Sequence, residues 1–264
     1  MARTLLLALL AVSIPALAQK FEPYEGQPGK DVVWVPTRPA LAERMLDLAG
    51  VSARDFVVDL GSGDGRLVIA AAKRGARALG VEYEAEMVAL ARKNAAAAGV
   101  AERAQFVQGD MFHADISKAT VLALFLLPAN LNRLVPKFLE LPAGTRIVNN
   151  TYRIDNWDEE ATAEMGGECV SWCTALLYLV PAKVAGAWRH PAGELYFTQE
   201  IQRLSGTLVA PGGQVTPLEG KVTGERIRFT IGNGDLYSGR VRGDEITGEA
   251  SGAYSAYWKA TRVR

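Results

Sequence analysis

The stretch Asp59-Leu60-Gly61-Ser62-Gly63-Asp64-Gly65 combines an acid with three alternating glycines. Glycine reaches backbone angles that a Cβ forbids, so such a run can turn sharply and let main chain approach a ligand closely. Two kinds of cofactor use a turn of this sort. A dinucleotide site needs a third glycine three positions after the second, with the following helix aimed at a pyrophosphate. Counting from Gly61, that position holds Arg66, so the register fails. Asp59 and Asp64 would also repel a pyrophosphate. They would not repel S-adenosylmethionine, which has no phosphate and carries an ammonium and a sulfonium. Charge favours the methyl donor.

Two more acids fit the same ligand. Glu82 falls about twenty residues beyond the glycines, where a carboxylate can accept hydrogen bonds from ribose hydroxyls. Asp110 follows Gly109 and is placed to accept from an adenine amino group, with Met111 and Phe112 beside it to pack on the ring. The expected cofactor set is therefore Asp59, Gly61, Ser62, Gly63, Gly65, Glu82, Asp110 and Met111.

These residues must be held by regular elements, and the pattern supplies them. Strands are predicted at 56–60, 77–83, 104–109, 121–127 and 145–151, alternating with helices at 66–74 and 85–98 and a third around Leu131, Leu134, Val135 and Phe138, kinked at Pro136. An earlier helix opens at Pro39, and a further buried strand spans 173–180. Strands joined by helices imply right-handed crossovers and a doubly wound, mostly parallel α/β sheet. Such sheets take ligands beyond the carboxyl ends of their strands. Past about 184 the helical period vanishes. Short alternating runs separated by Gly, Asn and Asp predict a small antiparallel all-β domain over 185–264, either barrel or sandwich.

The ends of the chain and its cysteines set the context. Arg3, the apolar run 5–12 and Ala16-Leu17-Ala18 read as a signal peptide over 1–18, which predicts export, periplasmic or secreted, with no lasting membrane span. Residues 19–33 read as an extended arm. Lys and Arg total 29, as do Asp and Glu, so no net field draws in nucleic acid. Cys169 and Cys173, taken to lie on an extended strand, would stand too far apart to bond and are expected as two free thiols. Only His113 and His190 accompany them, and no metal site is expected.

Val35-Pro36-Thr37, the run from Val57 to Arg66, Ala70-Ala71-Ala72-Lys73-Arg74-Gly75 and Gly80-Val81-Glu82 resemble the class I, Rossmann-like methyltransferase domain of the mitochondrial lysine methyltransferases, which act on the ADP/ATP carrier and the ATP synthase c-subunit, and of exported bacterial relatives. The resemblance covers roughly 34–152 and implies a seven-strand-type sheet over 34–184 and an amine acceptor such as a protein lysine. The loop after strand four reads Phe125-Leu126-Leu127-Pro128, not the Asn/Asp-Pro-Pro-Tyr of enzymes that methylate bases or glutamine. Trp34, Leu127, Pro128 and Asn149 are the expected acceptor residues, although a tryptophan placed like Trp34 is more often core and Asn149 equally suits a strand cap. Trp172 and Trp188 are expected at the junction between domains. The competing expectation is a non-catalytic protein that binds S-adenosylmethionine or an adenosine-like ligand, or one that works in the cell envelope.

Overall fold

The computed structural model describes residues 21–167, 169–232, 234–251 and 256–263; the expected signal peptide lies outside them. The first half of the chain alternates as its hydrophobic pattern requires: α1 (Pro39–Leu48), β1 (Phe56–Leu60), α2 (Arg66–Lys73), β2 (Arg77–Glu82), α3 (Ala85–Ala97), β3 (Ala104–Gln108), β4 (Val121–Leu124), α4 (Pro128–Phe138) and β5 (Arg146–Asn150). Two further strands follow, β6 (Ala161–Glu164) and β7 (Thr174–Leu179). Together the strands form one seven-stranded sheet in the order β3-β2-β1-β4-β5-β7-β6. The first five are parallel, whereas β7 runs antiparallel to β5 and β6 antiparallel to β7.

Successive strand residues point to opposite faces, and both faces are apolar. Val57, Ala78, Val121 and Val148 pack beneath α1, α2 and α3, where alanines at 70–72, 91 and 95 permit close approach. Val58, Leu122, Ile147 and Tyr178 face the other side, against Leu131, Leu134 and Phe138 of α4. Each of those three side chains contributes about 1.5–3 kcal/mol by burial. Pro136 lies within α4, which nonetheless continues to Phe138.

Two elements depart from expectation. The chain leaves the sheet after Leu124, so the predicted end of strand four is a loop. There the Leu126 amide donates to the Asn149 side chain (3.4 Å) rather than to a neighbouring strand. Strand β6 was not expected, because Ala161-Thr162-Ala163-Glu164 has no apolar run; it pairs antiparallel with β7, and Ala163 packs against the core under α1.

The second half forms a closed barrel of eight strands in the order β10-β11-β12-β13-β14-β15-β8-β9. They are β8 (Gly186–His190), β9 (Gly193–Glu200), β10 (Arg203–Val209), β11 (Val215–Thr223), β12 (Arg226–Ile231), β13 (Leu236–Arg242), β14 (Glu245–Ser251) and β15 (Ala256–Arg262). Closure comes from β15 pairing with β8, a strand that the residue pattern does not announce. Strand β11 runs on through Pro217. Phe229 anchors the interior, edge-on to Phe197 and Trp258 and stacked on Tyr237 at 5.0 Å. Gly220 sits opposite Phe229; a Cβ there would come within 2.2 Å of the Arg228 carbonyl, so the wall can close up only with glycine. Trp188, expected at the domain junction, is fully buried in this core and donates its indole N–H to the Val184 carbonyl. Burial lowers the pKa of the interior His190, keeping it neutral.

The barrel meets the sheet at the edge where β5 begins and β7 ends. The Ala182 amide donates to the Gly224 carbonyl, Lys183 pairs with Glu140, and Arg203 pairs with Asp158.

Candidate active site

The glycine run forms the turn between β1 and α2. Gly61, Gly63 and Gly65 all have positive φ, at 81°, 53° and 85°. The amides of Gly61 and Ser62 both donate to the Val81 carbonyl, which holds the turn against β2. A Cβ on Gly63 would stand 2.5 Å from Nε1 of Trp34, and one on Gly65 2.6 Å from the Phe106 ring. Glycine is thus demanded twice, by angle and by space.

Acidic groups converge here. Glu82 accepts from the Gly63 amide with one oxygen (2.8 Å) and from the Glu84 amide with the other (3.0 Å). Asp59 is buried beneath the turn. Its burial pushes its pKa well above the usual carboxylate value, and the charges of Glu82 and Asp64 push it further the same way. Asp64 is satisfied separately by the Arg66 guanidinium, which also donates to the Thr37 carbonyl and so ties the Val35-Pro36-Thr37 entry to the turn.

A cleft runs along the carboxyl ends of the strands from Asp110 to Trp172. Gly61, Glu82, Asp110, Met111, Trp34 and Leu127 line it. Asp59, Ser62, Gly63 and Gly65 do not line it. The Ser62 hydroxyl is turned under β2 towards Gly80, so that side chain offers nothing to the cleft. Pro128 does not line the cleft either; it is the first residue of α4. Asn149 is fully buried behind the cleft, accepting from the Leu126 amide and donating to the Tyr152 carbonyl at 2.7 Å. Its alternative reading as a structural residue is the one the geometry matches.

The arm contributes more than its composition suggested. Residues 27–35 line the cleft as a small hairpin closed by a Pro28–Val33 bridge, by the Trp34 amide donating to the Gln27 carbonyl and by the Gly26 amide donating to the Trp34 carbonyl. Lys30 reaches Asp110 at 2.6 Å, and the Phe112 amide binds the other carboxylate oxygen. Lys30 and then Phe112 hold the Asp110 pKa down to about 2. Nothing in the spacing of Lys30 could have predicted that pairing, because it depends on how the arm folds back. Phe125, Tyr152 and Trp172 also line the cleft unforeseen. Trp172 therefore stands at the cleft and not at the domain junction.

Cys169 and Cys173 are joined in a disulfide, with Cα atoms 5.9 Å apart. The expectation of free thiols assumed an extended strand. The strand starts only at Thr174, and the loop before it curls enough to bring the sulfurs together.

A family model described as the ANTKMT methyltransferase domain matches residues 59–161, which carry the glycine turn, Glu82 and Asp110. A protein-lysine N-methyltransferase of Saccharolobus islandicus is 44% identical over 131 residues, covering 48% of this chain and 81% of the relative. The mouse lysine N-methyltransferase of the ATP synthase c-subunit is 30% identical over 168 residues, covering 62% of this chain and 64% of the relative. Of the mouse adenine nucleotide translocase lysine N-methyltransferase, 35% identical, the chain spans about half, 51%. A solved RNA methyltransferase from Salinibacter ruber, bound to S-adenosylhomocysteine, superposes with a TM-score of 0.53 at 42% identity, covering 57% of this chain and 96% of that one. An acid-flanked glycine turn that can cradle a cationic donor, in a domain shared with these proteins, makes the chain a member of the ANTKMT methyltransferase family and an S-adenosylmethionine-dependent methyltransferase.

Proposed function

We propose that the enzyme methylates the side-chain amine of a protein lysine, and that it does so after export. One observation carries the choice of acceptor. Among the described residues lining the cleft, Asp31, Glu82, Glu84 and Asp110 are acidic, and the sole cation, Lys30, is already paired with Asp110. A polyanionic backbone is repelled by such a cleft and a lysine side chain is drawn to it. The lysine methyltransferases among the relatives support the same acceptor. They do not favour the alternative of binding without catalysis. The disulfide supports an oxidising compartment, in line with the expected signal peptide.

The residues present fit the cofactor. The glycine turn leaves close main-chain approach, and its carboxylates suit a positive ligand. Asp59 and the Gly61 turn would hold the amino-acid end, Glu82 the ribose hydroxyls, and Asp110 with Met111 the adenine. When bound, S-adenosylmethionine supplies an electrophilic methyl group on a sulfonium. The chain's part is to align and dry the nucleophile. A lysine amine has an ordinary pKa of about 10.4 and attacks only when neutral, so it must first release a proton to water; apolar walls such as Trp34 and Leu127 lower that barrier.

The name of the Salinibacter enzyme offers RNA as the second reading, and one experiment decides between them. The purified chain is incubated with tritiated-methyl donor and extracts of its own cell, and labelled material is resolved into protein and RNA. Label in lysines of protein is expected. Label confined to RNA, or none in any fraction, would overturn the assignment.

A further inference from the structure

The sheet order lays out the cleft as a row. Asp110 follows β3, Glu82 ends β2 and Gly61 follows β1, and the row continues across β4, β5 and β7. Because β7 is antiparallel, its beginning, not its end, reaches the cleft. Three aromatic residues stand there: Phe125 after β4, Tyr152 after β5 and Trp172 just before β7. Phe125 lies near-parallel to Tyr152, with ring centres 6.2 Å apart, and edge-on to Trp172 at 6.0 Å. The Trp172 indole N–H donates to the Tyr152 hydroxyl oxygen at 3.2 Å. No charged side chain lines this end among the described residues.

Ordinary core packing does not account for the trio. Phe229 and Trp258, in the barrel, are buried; Phe125, Tyr152 and Trp172 are each only half-buried and face the cleft. Thr151, next to Tyr152, and Trp172 itself are held in the left-handed region without being glycine, at φ 62° and φ 55°. Such angles persist only where the surroundings enforce them, and they concentrate at ligand sites. The enforcement at Trp172 is visible. Cys173, the next residue, is bonded to Cys169, and its carbonyl accepts from the Met165 amide at 2.8 Å, so the loop carrying the indole is closed by a covalent and a hydrogen-bonded link.

We infer that Phe125, Tyr152 and Trp172 form a receptor for the alkylammonium head of the acceptor, and that the Cys169–Cys173 disulfide is the device that positions Trp172 in it. The inference rests on the lysine reading and specifies which groups recognise that lysine. Aromatic faces attract cations through their quadrupole, and they do so without the strong hydrogen bond by which a carboxylate would oppose loss of the amine proton. They also accept an amine that already bears methyl groups.

Isothermal titration of the full chain loaded with S-adenosylhomocysteine tests this directly. The probes are Nα-acetyl-lysine methylamide, its Nε-trimethyl form and the uncharged Nα-acetyl-norleucine methylamide. The two cations should bind at least about tenfold more tightly than norleucine. Trp172→Ala should weaken them by about tenfold and Trp172→Phe by less than about threefold, with S-adenosylhomocysteine affinity held within about twofold in both. Equal binding of norleucine, no measurable binding of either cation, or unchanged lysine affinity in Trp172→Ala would overturn the receptor. The Cys169→Ser/Cys173→Ser variant, and the native chain in reductant, should lose about threefold or more in cation affinity; no loss would remove the positioning role. Ring-dependent binding of lysine without methyl transfer to protein would instead fault the proposed acceptor and leave the receptor standing.

Discussion

The sheet and the barrel treat their edges in opposite ways. The barrel joins its first strand to its last, so every strand has two partners, and its interior is filled by Trp188, Phe197, Phe229 and Trp258. The sheet keeps a long open rim at the carboxyl ends of its parallel strands and crowds that rim with buried acid, strained backbone and half-exposed rings. One half of the molecule is built to be stable, and the other stores unfavourable features where a ligand can relieve them. The difference assigns each substitution in advance to stability or to binding.

The largest effect should be pure stability. Phe229→Ala empties the centre of the barrel and should cost about 3–5 kcal/mol, read as a lowered thermal midpoint, while S-adenosylhomocysteine affinity per folded molecule stays the same. A fall in affinity would mean that the two halves are coupled. Gly63→Val is the converse. At φ 53° and with Trp34 in the way, the side chain has no room, and cofactor affinity should fall by about a hundredfold or more, equivalent to about 2.7 kcal/mol. Thermal melting would report whether the sheet survives.

Asp59→Asn sharpens the contrast, because it should move stability and binding in opposite directions. The Asp59 pKa is raised in the folded chain, so its contribution to stability is complete below the unfolded value and is lost as pH rises through the folded one. At neutral pH the Asn variant should therefore melt higher without ligand, yet bind S-adenosylmethionine about tenfold more weakly. Native affinity should decline as acid protonates Asp59, and the variant should lack that dependence. A variant that melts lower, or that binds equally well, would contradict the assignment. The smallest effect belongs to Lys30→Ala. Its pair with Asp110 is exposed and screened by solvent, so cofactor affinity should change by no more than about fivefold in titration.

The parts of the molecule legible from sequence were those fixed by local pattern. The period-two and helical runs located β1, α2, β2, α3 and β3 to within a residue or two, and the alternation of glycine and acid identified the turn. What escaped was set by distant partners. Nothing local in Ala161-Thr162-Ala163-Glu164 or Gly186-Ala187-Trp188-Arg189-His190 marks a strand; each becomes one by completing a neighbour's hydrogen bonds. Ser62 and Asn149 have side chains suited to ligands but spend them behind the cleft, a matter of rotamer and burial that spacing does not encode. The free-thiol expectation failed for a related reason: the distance argument was sound for a strand, and the segment is a loop.

The reversal of β7 has a further consequence. It carries the polypeptide away from the rim and releases it at the opposite pole of the sheet, where Ala182 and Gly224 meet and the barrel is mounted. Among the described residues, none from the barrel lines the cleft. The molecule thus has a working face and a mounting face, and a bulky macromolecule can approach the first without displacing anything held by the second. Tethering and chemistry are separated by the thickness of the sheet.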